Sequence, residues 1–279
     1  MRTRPEVIAH RGASAVEAEH TLAAYRRALD DGADGVECDV RLTRDGVLVC
    51  VHDRRVDRTS SGHGVVSTLE LADLSELDFG SWRNGSAEEA PDPLLTASWE
   101  APDLDRTSVL TLERLLEVVT AVDRPLRLAI ETKHPTRYAG LVELTLIETL
   151  QRFGLADGSG NATVHVQVMS FAPTGLRRIK ALAPDLPTVH LMKRIPLRLR
   201  DGAISASATI AGPSLEGVKA FPSYVERAHA RGHEVHVWTV DEPDDVDAMV
   251  GLGVDVIITN QPAAVLAHLA QSPQTRTAT

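Results

Sequence analysis

Short runs of apolar and β-branched residues alternate with helical segments along this whole chain, and this alternation limits the fold more than any other feature of the sequence. Strands that alternate with helices favour an α/β domain with a mainly parallel sheet. The pattern predicts strands at residues 7–10, 36–42, 47–52, 126–131, 163–168, 187–191, 208–211, 234–239 and 255–259. It predicts helices at residues 21–31, 68–77, 111–122, 136–153, 173–182, 222–231, 242–251 and 262–270.

The segment GVECDVRLTRDGVLVCVHD explains why nine strands are predicted instead of eight. Asp45-Gly46 lies between two alternating runs and is typical of a hairpin turn, and so short a connection cannot make a parallel crossover. If the hairpin is centred between Arg44 and Asp45, residues whose numbers sum to 89 are paired, and His52 lies opposite Glu37. Treating the hairpin as one arm leaves eight βα units, in about the ~250 residues typical of a TIM barrel.

An open doubly wound sheet is the competing architecture, and it would normally carry a glycine-rich phosphate loop after the first strand. The segment HRGASAVEAEH has one glycine there and no such loop. We therefore predict one irregular TIM (β/α)8 barrel over residues 1–279, with an antiparallel hairpin arm on strand two. Residues 81–110 form a long inserted loop, which is either a lid over the site or a structural excursion packed on the barrel.

Charge and composition exclude several classes of protein. A net charge of −10 argues against a nucleic-acid partner, because proteins that bind nucleic acids need a basic face to neutralise phosphates.

The sequence has no run of the ~20 apolar residues that a membrane span needs, and its first residues lack an apolar run of signal-peptide length. The two cysteines, Cys38 and Cys50, are predicted on opposite faces of the arm, so no disulfide is expected. We expect a cytoplasmic protein with no stable membrane insertion.

Polar side chains are predicted at the ends of several apolar strands, where a barrel places its chemistry. They are His10, Arg11, Glu37, Asp39, His52, Glu131, Lys133 and Trp238. Any one of them alone is more often a solvated or structural residue than a functional one. Together they predict a site, because several ionisable groups at the ends of different apolar strands are costly to bury without compensation.

Three carboxylates in this set indicate a metal site. Glu37 and Asp39 are two residues apart in a strand and so point to the same face. Glu131 ends the apolar run LRLAIE. Acidic oxygen donors without cysteine favour one hard divalent cation, Mg²⁺ or Ca²⁺, over zinc.

A series of motifs, in this order along residues 6–268, resembles the glycerophosphodiester phosphodiesterase family. The motifs are AHRG, AEHT, GVECDVRLTRDGVLVCVHD, DRTSSGHGVV, ETK, SF, WTV and GVDVIITNQP. The resemblance implies a TIM barrel that uses a divalent metal to hydrolyse a small-molecule glycerophosphodiester to glycerol 3-phosphate and an alcohol. In this family a neighbouring glycerol hydroxyl is thought to be the nucleophile.

The resemblance also implies a role for each matching residue. Glu37, Asp39 and Glu131 would be metal ligands. His10 and His52 would be the general acid and base, and Arg11 and Lys133 would hold phosphate oxygens. Trp238 would form a wall for the glycerol or choline part of the substrate.

Two other functions stay open at this point. The same mechanism could act on a lysophospholipid or another lipid headgroup diester. A barrel of this kind could also bind a phosphorylated ligand without turnover, although the two histidines argue against that.

Three local features carry expectations of their own. His20 stands where the family usually has asparagine, and we expect it to be structural or to support a ligand. Asn260 stands where aspartate is common, a change that we expect to matter little. Adjacent strand residues point to opposite faces, so the backbone is expected to bend at Gly12 and aim both His10 and Arg11 inward.

Overall fold

The computed structural model describes residues 4–84, 103–137, 140–157 and 163–271. Its strands are β1 (Glu6–His10), β2 (Gly35–Leu42), β3 (Leu48–Cys50), β4 (Leu126–Thr132), β5 (Val164–Ser170), β6 (Thr188–Met192), β7 (Ile210–Pro213), β8 (Glu234–Val237) and β9 (Val256–Thr259). Its helices are α1 (Leu22–Asp30), α2 (Leu71–Ser75), α3 (Leu104–Thr107), α4 (Leu112–Thr120), α5 (Leu141–Arg152), α6 (Pro173–Leu182), α7 (Leu215–Ala220), α8 (Tyr224–Ala230), α9 (Pro243–Gly251) and α10 (Pro262–Gln271).

The strands close into an eight-stranded parallel barrel with one extra strand outside it. Neighbouring strands follow the order β1-β9-β8-β7-β6-β5-β4-β2, and β1 also pairs with β2, which closes the sheet. β3 pairs antiparallel with β2 beyond this ring. The predicted TIM barrel with a hairpin arm on strand two is therefore confirmed.

Two apolar layers hold the barrel together. Outward-facing strand residues such as Val36, Cys38 and Val40 are buried against helices, α4 among them through Leu112 and Leu116. A smaller cluster fills the inside of the barrel, with members Ile8, Ala129, Met169, Val189, Leu191, Ile210, Val256 and Ile258. Each large apolar side chain buried in this way contributes about 1.5–3 kcal/mol to folding.

The predicted hairpin register is wrong by one residue. Val40 pairs with Cys50 and Leu42 with Leu48, so the paired residue numbers sum to 90 instead of 89. The cause is the turn, where Gly46 takes a φ of +85° and lengthens the loop to three residues, Arg44 to Gly46. His52 consequently does not lie opposite Glu37, and it follows the end of β3 instead of belonging to the strand.

The one-residue shift in register also changes which face of the arm Cys50 occupies. Cys50 lies opposite Val40, which shares its face of β2 with Cys38, so the prediction that the two thiols are on opposite faces is wrong. Both thiols are buried in the same apolar cluster. The expectation of no disulfide is confirmed, because both cysteines are free.

The segment after α2 differs from the simple loop that the sequence indicates. Residues 81–84 form a 3₁₀ turn, and α3 lies near the end of the predicted insertion. The predicted lid falls largely on residues 85–102, which lie outside the described residues. Within the described ranges, no helix combines the length and the apolar character needed to cross a membrane.

Candidate active site

One pocket of about 280 Å³ opens inside the barrel at the carboxyl ends of its strands. Seven of the eight residues predicted from the sequence line it: His10, Arg11, Glu37, His52, Glu131, Lys133 and Trp238. The eighth, Asp39, is 1% exposed and lies beside this pocket. The residues singled out at strand ends therefore come together, because parallel strands bring their carboxyl ends to one edge.

Three carboxylates meet at the base of this pocket. Glu37 and Asp39 point inward from β2, and Asp39 is the register partner of Glu131 on β4. One oxygen from each carboxylate lies within 4.8 Å of the others. All three residues are buried, so their charges are only weakly screened by water.

Two cations approach the carboxylates but do not balance them. Arg11 Nε lies 3.1 Å from Asp39 Oδ2. Lys133 Nζ lies 2.8 Å from Glu131 Oε1 and 2.9 Å from Asp39 Oδ1, although Asp39 Oδ1 has no hydrogen bond of normal geometry within the described residues. With all three carboxylates ionised, the two cations would leave one excess negative charge.

The crowding of buried carboxylates shifts the pKa values of all three groups. Burial, together with the charge of Asp39, raises the pKa of Glu131 to about 7. The same two causes hold the pKa of Glu37 well above its usual range. Although burial opposes it, the hydrogen bond from His20 and the charges of Lys133 and Arg11 keep the pKa of Asp39 well below its usual range.

The donor set fits a hard divalent cation. The buried acidic oxygens converge from two neighbouring strands, and the excess negative charge is of the sign that a cation would offset. A bound cation would also favour the ionised forms of Glu37 and Glu131, whose buried charges are otherwise costly. The residues present are therefore suited to Mg²⁺ or Ca²⁺.

The backbone bend after β1 aims Arg11 into the site. Arg11 itself has a φ of +59° and Gly12 a φ of +80°, so the predicted bend at Gly12 is confirmed and begins one residue earlier. A Cβ atom at Gly12 would lie 2.6 Å from the carbonyl carbon of Ala24, which explains why glycine is needed there. The bend also lets the Arg11 amide donate to Glu37 Oε2 at 3.0 Å.

His10 is held by a chain of polar groups from β9 and the loop after β8. Its Nδ1 lies 2.8 Å from Asn260 Oδ1, while Asn260 Nδ2 donates to Asp241 Oδ2 at 2.7 Å. Ser14 Oγ also donates to Asn260 Oδ1 at 2.9 Å. Burial and the charge of Arg11 lower the pKa of His10 to about 4, so the ring is neutral near pH 7.

His52 is held by a carboxylate instead of an amide. Its Nδ1 lies 2.7 Å from Asp53 Oδ1, and its carbonyl oxygen accepts from Arg41 Nε at 3.0 Å and from Nη2 at 2.7 Å. Arg58 links this pair to Arg11, because it contacts both Asp53 and Glu19 at 2.7 Å and Glu19 lies 3.1 Å from Arg11. Burial lowers the pKa of His52 below its usual value, although the charge of Asp39 and the hydrogen bond to Asp53 oppose this shift.

His20 supports a candidate ligand directly, as expected from the sequence. Its Nε2 lies 2.9 Å from Asp39 Oδ2 and its Nδ1 lies 2.8 Å from Tyr25 Oη. Tyr25 Oη in turn donates to the carbonyl oxygen of Glu37 at 3.1 Å. Because His20 is 6% exposed and has a φ of +62°, this contact is part of the buried structure of the site.

The far wall of the pocket is apolar. Trp238 Nε1 donates to the carbonyl oxygen of Gly212 at 2.8 Å, and its ring meets Phe171 edge-on at 5.4 Å between centroids. Met169, Leu191 and Ile258 complete this wall. Trp238 thus forms part of an apolar wall of this pocket, and its contact with substrate stays a prediction.

Sequence reasoning missed Lys193, and it named Asn260 only as a departure from the family pattern, without its contact to His10. Lys193 lines the pocket just after β6, and Asn260 contacts His10 just after β9. Both follow the carboxyl end of a strand, so the same strand-end rule applied to every strand would have singled them out.

Comparison with known proteins places the chain among phosphodiesterases. The model of the glycerophosphoryl diester phosphodiesterase family matches residues 10–264. The chain is 48% identical over 267 residues to a probable glycerophosphodiester phosphodiesterase 1 of Mycobacterium tuberculosis, covering 95% of this chain and 92% of that protein. It is 34% identical over 259 residues to a glycerophosphodiester phosphodiesterase of Bacillus subtilis, covering 91% and 83%.

Solved structures share the fold. A phosphodiesterase of Oleispira antarctica, in complex with the product sn-glycerol-3-phosphate, has a TM-score of 0.77 at 24% identity and covers 96% of this chain and 98% of its own. A putative glycerophosphoryl diester phosphodiesterase of Silicibacter pomeroyi has a TM-score of 0.78 at 24% identity and covers 97% and 94%. With the family match and the close relatives, this chain belongs to the glycerophosphoryl diester phosphodiesterase family.

Proposed function

We propose that this phosphodiesterase hydrolyses glycerophosphodiesters to glycerol 3-phosphate and an alcohol with the help of one divalent cation, Mg²⁺ or Ca²⁺. The observation that carries the proposal is the convergence of three buried carboxylates with two histidines and two cations at one pocket. A phosphodiester is an anion, and such a site offsets the charge that develops as it reacts.

Glu37, Asp39 and Glu131 are proposed to hold the cation, which when bound supplies positive charge at the reacting phosphate. Arg11 and Lys133 bind the phosphate oxygens. Both side chains line the pocket and are already turned toward its base by Asp39, so the substrate meets them in place.

His10 is proposed to take the proton from the nucleophile. Its Nδ1 faces the side-chain oxygen Oδ1 of Asn260, which can only accept, so Nδ1 carries the proton and Nε2 of the neutral ring is left as the proton acceptor. The pKa of about 4 keeps that acceptor free near neutral pH. General base catalysis of this kind contributes about 10²–10⁴ in rate.

His52 is proposed to give a proton to the oxygen of the leaving alcohol. Burial lowers the pKa of His52, but its Nδ1 faces the carboxylate of Asp53, which raises that pKa and makes the imidazolium form easier to reach than it is in His10. His10 has only a neutral amide in the same position. The contrast between a carboxylate and an amide is what assigns the acid role to His52 and the base role to His10.

A lysophospholipid is the second candidate substrate, and the apolar wall of Met169, Phe171, Leu191 and Trp238 favours it. Such a wall can pack against an acyl chain, whereas the glycerol carbons are common to both substrate classes. The acyl chain distinguishes the two candidates, because only the lysophospholipid carries one.

The experiment measures glycerol 3-phosphate released from the water-soluble diesters, and choline with lysophosphatidic acid released from lysophosphatidylcholine. Glycerophosphocholine, glycerophosphoethanolamine, glycerophosphoinositol and lysophosphatidylcholine are each incubated with the enzyme, with and without EDTA. Cation-dependent release of glycerol 3-phosphate from the water-soluble diesters supports the proposal. Cleavage of lysophosphatidylcholine alone would favour the second candidate, and no cleavage of any diester would contradict both.

A further inference from the structure

Lys193 differs from the other two cations of the pocket. Arg11 and Lys133 each lie within 3.1 Å of a carboxylate at the base of the site. Lys193 lines the same pocket, but none of the ion pairs found in the described parts of the chain includes it. Its charge is therefore available to a ligand.

The backbone at Lys193 is fixed at the rim of the barrel. Ser214 donates twice to this segment, from its amide to Met192 O and from its Oγ to Lys193 O, both at 2.8 Å. The same Oγ accepts from the amide of Gly217 at the start of α7. The exposed Lys193 side chain thus extends from an anchored position.

Among the residues that the structure describes, no acidic side chain is left in the pocket to receive a positively charged alcohol. Glu37 and Glu131 are the carboxylates among its described lining residues, and both are assigned to the cation. The wall away from the carboxylates carries apolar groups, the neutral Thr239 and Lys193. An ammonium group on the alcohol would meet a like charge there, whereas an anionic group would meet a partner.

We propose that Lys193 binds an anionic group on the alcohol part of the substrate and so selects diesters with a negatively charged alcohol. This inference rests on the proposed function and names the substrate class within it. The carboxylate or phosphate of the alcohol would accept hydrogen bonds from the Lys193 ammonium. The competing possibility is that Trp238 and Phe171 bind a quaternary ammonium through their ring faces, which would select the opposite charge.

The test uses three glycerophosphodiesters of similar size that differ in the charge of the alcohol: glycolate, ethylene glycol and ethanolamine. Glycerophosphoinositol 4-phosphate is a fourth substrate and distinguishes phosphate from carboxylate. The variants are Lys193→Met, which removes the charge, and Lys193→Glu, which reverses it. Arg194→Met is the matched control, because Arg194 is an exposed neighbouring cation outside this pocket.

The measured quantity is kcat/KM for each charged substrate relative to the ethylene glycol diester. Intrinsic reactivities cancel when this ratio is compared between variants. Lys193→Met should lower the ratio for the glycolate diester by about three- to tenfold, as expected for a partly exposed charge pair. Lys193→Glu should lower it further and raise the ratio for the ethanolamine diester, while Arg194→Met leaves both ratios unchanged.

Two results would overturn the inference and separate it from the proposed function. Ratios that are equal in the wild type and in Lys193→Met, with normal cleavage of the ethylene glycol diester, would remove Lys193 from specificity and leave the proposed function intact. Absence of glycerol 3-phosphate from every diester would overturn both.

Discussion

Nδ1 of His10 lies 2.8 Å from Oδ1 of Asn260, and the amide of Asn260 is oriented by the carboxylate of Asp241. Asp241 also accepts from the Asn260 backbone amide at 2.8 Å, so the side chain is held from two directions. An amide fixed in this way presents only an acceptor to His10. The neutral imidazole must then carry its proton on Nδ1, and its Nε2 is free for chemistry.

Removing this acceptor should slow the reaction. Asn260→Leu frees the tautomer and ring orientation of His10, and we expect kcat to fall by about 10–10²-fold with a smaller change in KM, the size typical of losing a partner that orients a functional histidine. Steady-state kinetics with a glycerophosphodiester measures both. An unchanged kcat would show that His10 does not depend on Asn260.

Asn260→Asp tests the contact between residues 260 and 241 by adding a second negative charge to it. The new carboxylate would stand against Asp241, and two like charges at 2.7 Å should lower the melting temperature. Combining it with Asp241→Asn restores one donor and one acceptor and should recover stability. Failure of the double variant to recover would mean that the pair is not what orients this segment.

The two histidines should be needed for turnover and not for binding the cation. His10→Ala and His52→Ala each remove a proton-transfer group while leaving all three carboxylates, so kcat should fall by about 10²–10⁴-fold with little change in cation affinity. His229→Ala is a matched control, because His229 lies away from the pocket and contacts Asp255 at 2.8 Å. Near-normal turnover in either active-site variant would remove that histidine from the mechanism.

His20 should tune the affinity for the cation. His20→Leu removes the hydrogen bond to Asp39 Oδ2 and should weaken cation binding by about 10–100-fold, the usual effect of losing a group that supports a metal ligand. His20→Asn should lose less, because asparagine tolerates the φ of +62° and keeps a donor. Calorimetric titration with Mg²⁺ or Ca²⁺ measures the cation affinity of the wild type and of the two variants. Equal affinities would contradict a role of His20 in supporting Asp39.

Cation binding should weaken as the pH falls. Burial raises the pKa of Glu131 to about 7 and that of Glu37 well above its usual range, so below these values each carboxyl holds a proton that the cation must displace. The dissociation constant should therefore rise by about tenfold per pH unit for each displaced proton. Cation titrations between pH 6 and 9 test whether the dissociation constant rises as the pH falls. A dissociation constant independent of pH would contradict the prediction.

The sequence predicted the barrel because alternation of strands and helices depends on local patterns of apolar residues, which a single chain displays directly. It also singled out side chains that come together, because the ends of parallel strands meet at one edge. The hairpin register was wrong because it depends on the conformation of Gly46, whose φ of +85° adds a residue to the turn. A one-residue shift of this kind also moved Cys50 to the face of Cys38.

The supporting contacts of the site could not be predicted from local patterns. Asn260 and His10 are 250 positions apart, and Glu19 and Arg58 are 39 apart. Such pairs depend on barrel closure and on side-chain directions after the strands end. The expectation that asparagine at position 260 matters little was formed without Asp241, the residue that gives the amide its orientation.

The central claim is that release of glycerol 3-phosphate depends on one cation held by Glu37, Asp39 and Glu131. The most direct measurement titrates the cation-free enzyme with Mg²⁺ or Ca²⁺ while both binding and release are followed. We predict one cation per chain, activity that rises in parallel with binding, and loss of both in Glu131→Gln. Full activity of the cation-free enzyme, or a Glu131→Gln variant that binds and turns over as the wild type does, would contradict the account.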